Sequence, residues 1–215
     1  MYTPHQFDEA RLPVLHDAIR RTPLATLVTM TSNGLTATHL PLMLDPDRGP
    51  NGTLVGHIAR ANTQWRDSLP GSDALAIFLG PESYISPSWY ASKRETGKVV
   101  PTWNYIAVHA YGPAEFFGDA ERLRNIVTRL TDAHEAESAH PWHVTDAPPR
   151  YIDLELKAIV GVELPITRID GKWKLNQNRS AADRQGVIEA LETRDHASDA
   201  DVAHAMRALE QERDR

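Results

Sequence analysis

Apolar residues along the chain follow two periodicities. Leu12, Leu15 and Ile19 recur at helical spacing, and a first helix is expected from about Pro13 to Arg21. Pro13 is tolerated in a first turn, and Pro23 ends the pattern. Ala25 to Thr31 is rich in β-branched residues; Ser32-Asn33-Gly34 joins it to a second such run, Leu35 to Leu44. Asn-Gly between two strand-like runs is a strong hairpin signal. Asp45 to Gly52 reads as a loop, and Thr53 to Ala59 and Ala74 to Leu79 as strands. Tyr84 to Tyr90 and Val99 to Phe117 read as extended segments linked by the polar stretch Ala91 to Lys98.

Asp119 is placed to cap a helix whose buried stripe is Leu123, Ile126, Val127 and Leu130, reaching about Glu137. His140 to Pro149 reads as a loop with three prolines. Ile159 to Ile169 and Trp173 to Leu175 flank Asp170-Gly171, a second tight-turn signal. From Ala181 on, one helix is expected around Val187 and Leu191, another around Val202, Met206 and Leu209. Strands joined by short hairpins, with few helices before residue 180, point to a mainly β fold. The expectation is an antiparallel β-barrel with peripheral helices, an α+β arrangement with helices at the C-terminus. The boundary is expected between a domain of residues 1–179 and a helical appendage of residues 180–215. No strand–helix–strand alternation, G-x-G-x-x-G or phosphate-binding G-x-x-x-x-G-K-[ST] is present.

Composition narrows the chemistry. The chain has 215 residues and no cysteine, which excludes disulfides, thiolate metal sites and thiol nucleophiles. Redox chemistry would run through an organic cofactor or a His/carboxylate metal site. Acidic residues number 29 against 23 basic, a net charge of −6, which disfavours a broad nucleic-acid-binding face. No apolar run approaches the roughly 18 residues that a membrane span needs. Met1-Tyr2-Thr3-Pro4-His5-Gln6-Phe7 lacks the basic and apolar regions of a signal peptide, so the cytoplasm is the expected compartment.

Four polar segments interrupt strand-like surroundings. They are Thr38-His39-Leu40-Pro41; Gly56 to Asn62 with Gln64 and Trp65; Gly80 to Tyr90 continuing at Val100 to Tyr105; and Gly171 to Arg179. A forked guanidinium at a strand end, here Arg60 followed by Asn62, suits a phosphate. Trp103, Asn104 and Tyr105 combine flat rings with an amide, which suits stacking on a heteroaromatic ring and reading its polar edge. Together they point to a phosphorylated aromatic cofactor. Trp and Tyr also fill cores while keeping one polar contact, which is the competing reading. His39, His57 and His109 lie on expected strands, but nothing in their spacing makes them converge, so no metal site is assigned. No catalytic acid or base is assigned either.

The runs HLPL, GHIARAN-QW, GP-YISPSWY, VPTWNY-VHA-G, IVG, GKWKLNQN and DR-GV resemble the PaiB-type, FMN-binding negative transcriptional regulators, from Met1 to about Leu191. The resemblance implies a split β-barrel of the pyridoxamine-phosphate-oxidase-like kind, a homodimer with flavin at the subunit interface. It places His57, Ala59, Arg60 and Asn62 on the strand and turn that hold the flavin phosphate, with Gln64 and Trp65 extending the turn. Thr102, Trp103, Asn104 and Tyr105 would face the flavin or the partner. Lys172 and the stretch Lys174-Leu175-Asn176-Gln177-Asn178 would come from the partner chain, with Lys172 favouring the reduced flavin electrostatically. Asn176 departs from the serine more usual there.

Three functions follow from the resemblance: a negative regulator of transcription, a flavin-dependent oxidoreductase (reductase, oxidase or haem-degrading), or a flavin-binding sensor without turnover. Direct DNA binding has weak support. No recognition helix stands out, and residues 180–215 hold nine carboxylates against five arginines. The stretch 51–110 is slightly cationic, with five basic and four acidic residues, which suits one phosphate.

Overall fold

In the computed structural model, which describes residues 1–213, the chain is an α+β fold of antiparallel strands with peripheral helices, in which helix and strand are about equally represented. It divides into two compact units. The first contains Met1–Leu15, Leu79–Val108 and the chain from Asp170 onward; the second contains His16–Phe78 and His109–Ile169.

In the second unit, β2 (Leu24–Thr31) and β3 (Gly34–Asp45) form the hairpin that Asn33-Gly34 signals, in register from Leu24↔Pro41 to Thr31↔Gly34. Gly34 sits at φ 106°, where a side chain would be strained. β4 (Thr53–Ala59) pairs with β3 on one side and with β8 (Ile159–Pro165) on the other. β7 (Glu115–Phe117) completes the run at β8, and β5 (Asp73–Ile85) enters it beside β2. The β2 alternation buries Ala25, Leu27, Thr29 and Thr31.

Helix α4 (Ala120–Glu135) covers this sheet. Asp119 caps it, its Oδ1 accepting the Arg122 N–H at 2.8 Å. Ile126 and Leu130 pack on Val55, while Leu123 packs with Val144, Ile152 and Leu156. The last two belong to α5 (Pro149–Leu156), a helix inside the stretch expected to be loop. Pro149 occupies the first turn, where its missing N–H costs nothing, and Ile152 and Leu156 supply a four-residue apolar repeat.

In the first unit, the two-residue strand β1 (Asp8–Glu9) pairs with β9 (Arg168–Lys174). The Asp170-Gly171 turn was not found: β9 runs straight through both residues. Gly171 is needed there for close approach, since a Cβ would lie 2.2 Å from Leu15 Cδ2 and 2.6 Å from the Glu9 carbonyl. The turn falls instead between β8 and β9. β6 (Thr102–Pro113) begins in this unit, and the polar link before it contains a short helix, α3 (Ser92–Thr96), ended by Gly97 at φ 63°.

Both expected C-terminal helices are present, α6 (Ala181–Glu192) and α7 (Ala197–Arg213). Val187, Ile188, Leu191, Val202, Ala203 and Met206 share one core with Ile85, Tyr90, Ile106 and Leu175. Polar ties fix them further. Asp183 accepts the Ser92 N–H and O–H at 2.8 and 2.9 Å, and Asp199 accepts the Ser83 hydroxyl at 2.5 Å.

Candidate functional site

In the second unit, β4 ends at Ala59, an exposed residue paired with Ile159. The chain then turns through Arg60 to Thr63 into the four-residue helix α2 (Gln64–Asp67). The Arg60 N–H donates to the Ala158 carbonyl at 2.7 Å. Its Nε donates to the Lys157 carbonyl and its Nη2 to the Ile159 carbonyl, both at 2.7 Å. A cation is favourable at the Lys157 carbonyl because that residue closes the C-terminal end of α5. The guanidinium is therefore braced on two sides, with Nη1 left for a ligand. Arg60, Gly118, Ala120, Asp153, Leu156 and Lys157 line a cleft of about 500 Å³.

The other residues of this turn mostly build it. Asn62 donates from Nδ2 to Thr38 Oγ1 at 2.8 Å and accepts the Gln64 N–H at 3.0 Å. Gln64 is buried, its amide nitrogen donating to the Leu27 carbonyl and Thr29 Oγ1, both at 3.1 Å. Trp65 Nε1 donates back to the Arg60 carbonyl at 3.0 Å. Among the described residues, Gln64 Oε1 and His57 Nδ1, here, and Asn104 Oδ1, on β6, are among the polar atoms buried without a hydrogen-bond partner. Burial lowers the His57 pKa below the usual histidine value, so its imidazole is neutral at pH 7.

In the first unit, β6 alternates in the usual way. Trp103 is 51% exposed and Tyr105 half-buried, whereas Asn104 is fully buried and donates to Met206 Sδ at 3.4 Å. The Trp103 ring makes an edge contact with Tyr84, centroids 6.1 Å apart. Lys172 and Lys174 lie on one face of β9. Lys172 donates to the Tyr2 carbonyl at 3.1 Å and lies 5.3 Å from the Tyr105 ring centroid. Lys174 donates to Thr102 Oγ1 and the Trp103 carbonyl, at 2.5 and 2.6 Å, and lies 5.8 Å from the same ring. Burial, reinforced by the neighbouring Lys172 charge, lowers the Lys174 pKa.

The loop after β9 shapes itself. Gln177 accepts the Leu175 N–H at 2.8 Å and donates to the Trp173 carbonyl, and Asn178 is exposed. Asn176 sits at φ 64°, in the left-handed region that asparagine tolerates better than serine does.

The site residues named from sequence thus fall into two groups, one in each unit. The second unit brings together Ala59, Arg60, Asn62, Gln64 and Trp65 around one turn. The first gathers Thr102, Trp103 and Tyr105 with Lys172. The bracing carbonyls of Lys157 and Ile159 have no sequence signal near Arg60. Alternation along β9 places Lys174 beside Lys172, but the carbonyls depend on α5, which the prolines disguise. In the second unit the braced guanidinium is a donor that fits a phosphate; in the first, ammonium groups lie against the Tyr105 ring, an arrangement that fits a planar, anionic ring. Among the described residues no cluster of three or more His, Asp or Glu could hold a metal ion, and no helix is long and apolar enough to cross a membrane.

The model of a family described as "Putative FMN-binding domain" matches residues 1–168. The chain belongs to this family. FMN is the cofactor that membership assigns. "Protease synthase and sporulation protein PAI 2" of Bacillus subtilis is 32% identical, over 96% of each chain. An uncharacterized protein of Aspergillus fumigatus is 35% identical, over 89% of this chain and 91% of the relative. Among solved structures, the FAD and heme binding protein of Mycobacterium smegmatis aligns with a TM-score of 0.59 at 18% identity, covering 83% of this chain and 78% of that one. The flavocytochrome Anf3 of Azotobacter vinelandii aligns at 0.55 with 17% identity, covering 79% and 70%. These likenesses are of fold, and the fold is the antiparallel split barrel.

Proposed function

We propose that this protein holds FMN at the interface of a cytoplasmic homodimer and acts as a negative regulator of transcription. The observation that carries the cofactor assignment to particular residues is the braced Arg60 guanidinium, held by two carbonyls with Nη1 unspent. FMN phosphate carries close to two negative charges, and a pre-oriented fork meets it without further ordering. The aromatic faces of Trp103 and Tyr105 suit the flavin ring; together with Lys172, which lies 5.3 Å from the Tyr105 ring centroid, and the loop at Gln177 and Asn178, they would serve the site from the second copy.

The regulatory role draws on the family resemblance and on the Bacillus relative, which is named a protease synthase and sporulation protein. An acidic chain acts more readily through a partner protein than by coating DNA. Flavin absorbance of the purified protein, FMN titration and sedimentation at several concentrations test the cofactor and the dimer together. A monomer that takes up no FMN refutes both. A mobility shift of promoter DNA by the pure protein at low salt would replace the partner-mediated route with direct binding.

A second reading, a flavin-dependent oxidoreductase, draws on the redox chemistry that FMN itself would supply, with the protein holding and orienting it. Bleaching of the bound flavin by NADH or NADPH, faster than that of free FMN, is the result that reading requires.

A further inference from the structure

In the second unit, the end of β3 lies open on one side. Its pairing with β2 closes at Leu24↔Pro41, and one further bond follows, the Leu42 N–H donating to the Pro23 carbonyl at 2.8 Å. Proline has no N–H to return, so the ladder stops there. N–H groups two residues apart along a strand point the same way, which turns the Leu44 N–H toward this unpaired edge. A cleft of about 370 Å³ opens against it, lined by Pro23, Leu42, Met43 and Leu44 and by Leu130 of α4. Leu42 and Leu130 are buried and Met43 is half-buried, packed on the cluster of Val55 and Ile126.

Arg20 carries the charge at this apolar cleft, and His134 adds a ring nitrogen. Among the described residues no carboxylate lines it. Arg21 pairs with Asp17 at 2.9 Å, whereas Arg20 is exposed and makes no ion pair among the described residues. A carboxylate accepts from a guanidinium fork and a backbone N–H together, and an alkyl chain attached to it would cover the apolar lining. A small inorganic anion would leave that lining wet, and a cationic ligand would meet the Arg20 charge uncompensated.

The geometry points to a binding site for a medium-chain aliphatic carboxylate, its head held by Arg20 and its chain laid along Pro23, Met43 and Leu130. The site shares no residue with those that suit FMN, and it does not depend on the cofactor reading. The competing role for Arg20 and His134 is to complement the negative C-terminal ends of α1 (Leu12–Arg21) and α4, in whose last turns they lie.

The test uses the full-length protein, with whatever flavin it carries, and octanoate as probe; hexanoate and octanamide are the controls. Calorimetry reads binding, and flavin absorbance reads cofactor retention. Octanoate should bind about 15-fold tighter than hexanoate, because each buried methylene is worth about fourfold in affinity. It should bind about tenfold tighter than octanamide, the effect of one charge-assisted contact. Arg20→Gln should remove the preference for octanoate over octanamide, and Arg20→Lys should keep part of it. Arg21→Gln should leave the preference in place, because that side chain is committed to Asp17.

Equal affinity for octanoate and octanamide overturns the proposal, as does a preference untouched in Arg20→Gln. An equal loss in Arg21→Gln marks a diffuse charge effect and overturns it too. If Arg20 serves only its helix end, Arg20→Gln melts earlier while the octanoate preference persists. Octanoate that releases FMN would place the probe in the flavin site, overturning this proposal and leaving the cofactor reading standing. Octanoate affinity that falls as protein concentration rises would mark the cleft as a contact between copies, which overturns the proposal as well. If the wild-type protein shows no flavin band, the cofactor reading fails by itself, and the octanoate comparisons decide this proposal in the same way.

Discussion

Replacing Arg60 separates two roles that its geometry allows. The side chain braces the end of α5 and the start of β8 through two bonds of 2.7 Å to backbone carbonyls. Arg60→Ala removes both. A bond to a charged donor contributes about 1.5–3 kcal/mol, and half-exposure of the group reduces this, so a loss of about 2 kcal/mol is expected for the pair. For a chain of this length that is about 4–8 °C in melting temperature. Binding is a separate quantity. If the remaining Nη1 meets the FMN phosphate, its loss weakens FMN about 10–100-fold. Riboflavin, which has the same ring and no phosphate, should bind wild type and Arg60→Ala equally. Arg60→Lys keeps the charge but loses the fork, so it should fall between the two in both measurements. Flavin fluorescence quenching gives the affinities and a thermal melt the stability. A variant that melts early yet binds FMN like wild type refutes the phosphate role and leaves Arg60 as a brace. A riboflavin affinity that falls as far as that of FMN refutes it too, because the defect would then lie in the ring site.

Three further outcomes follow from the packing. Burial acts to raise the Asp183 pKa, but the Ser92 N–H and O–H and the Ser180 hydroxyl outweigh it and lower the pKa. The stability this supplies is complete above the ordinary aspartate value and is lost as pH falls through the folded one. Asp183→Asn should flatten that acid limb, and Asp183→Ala should cost about 3 kcal/mol in denaturant unfolding. The depressed pKa of His57 acts at higher pH: stability is complete above about 6.5, the ordinary value, and declines as pH falls toward the folded one. His57→Leu should remove that decline, and a stability profile unchanged between pH 5 and 7 would show that the imidazole is not titrating there. A Cβ on Gly161 would lie 2.3 Å from the Phe117 ring, so Gly161→Ala should cost about 1–3 kcal/mol by overpacking, read as an earlier urea midpoint.

What the sequence made legible depended on whether each signal was local. The β2–β3 hairpin and the strand Thr53–Ala59 were readable because alternation and Asn-Gly are properties of neighbouring residues. The Asp119 cap was readable for the same reason. Helix α5 was not, because Pro148 and Pro149 read as breakers unless the apolar pair Ile152 and Leu156 is counted after them. Asp170-Gly171 carried the composition of a turn, yet the glycine is there to admit Leu15 and the Glu9 carbonyl, partners more than 150 residues distant in sequence. The site divides in the same way. Arg60 was visible as a cation at a strand end. Its bracing carbonyls lie about 100 residues further on, and no spacing near Arg60 points to them. Asn104, read as one member of a ring-facing run, alternates away from Trp103 and Tyr105, and period two along β6 carries that information.

The net charge of −6 acts locally rather than globally. Most of the acidic surplus lies after Arg179, and much of it is already committed within the first unit. Asp183 is held by Ser92 and Asp199 by Ser83, while Glu192 and Glu210 pair with Arg207 and Arg184. Carboxylates spent in this way cannot serve as counter-ions for Lys172 and Lys174, which stay unpaired within a chain that is negative overall. A broad phosphate backbone meets the sum of these charges and is repelled beyond a Debye length of about 8 Å at physiological salt only weakly, but within it strongly. A single small anion instead meets the lysine pair at contact distance, where the nearest charges dominate. The same acidity that argues against coating DNA is therefore compatible with tight capture of one or two anionic groups, provided each is small enough to fit inside that radius.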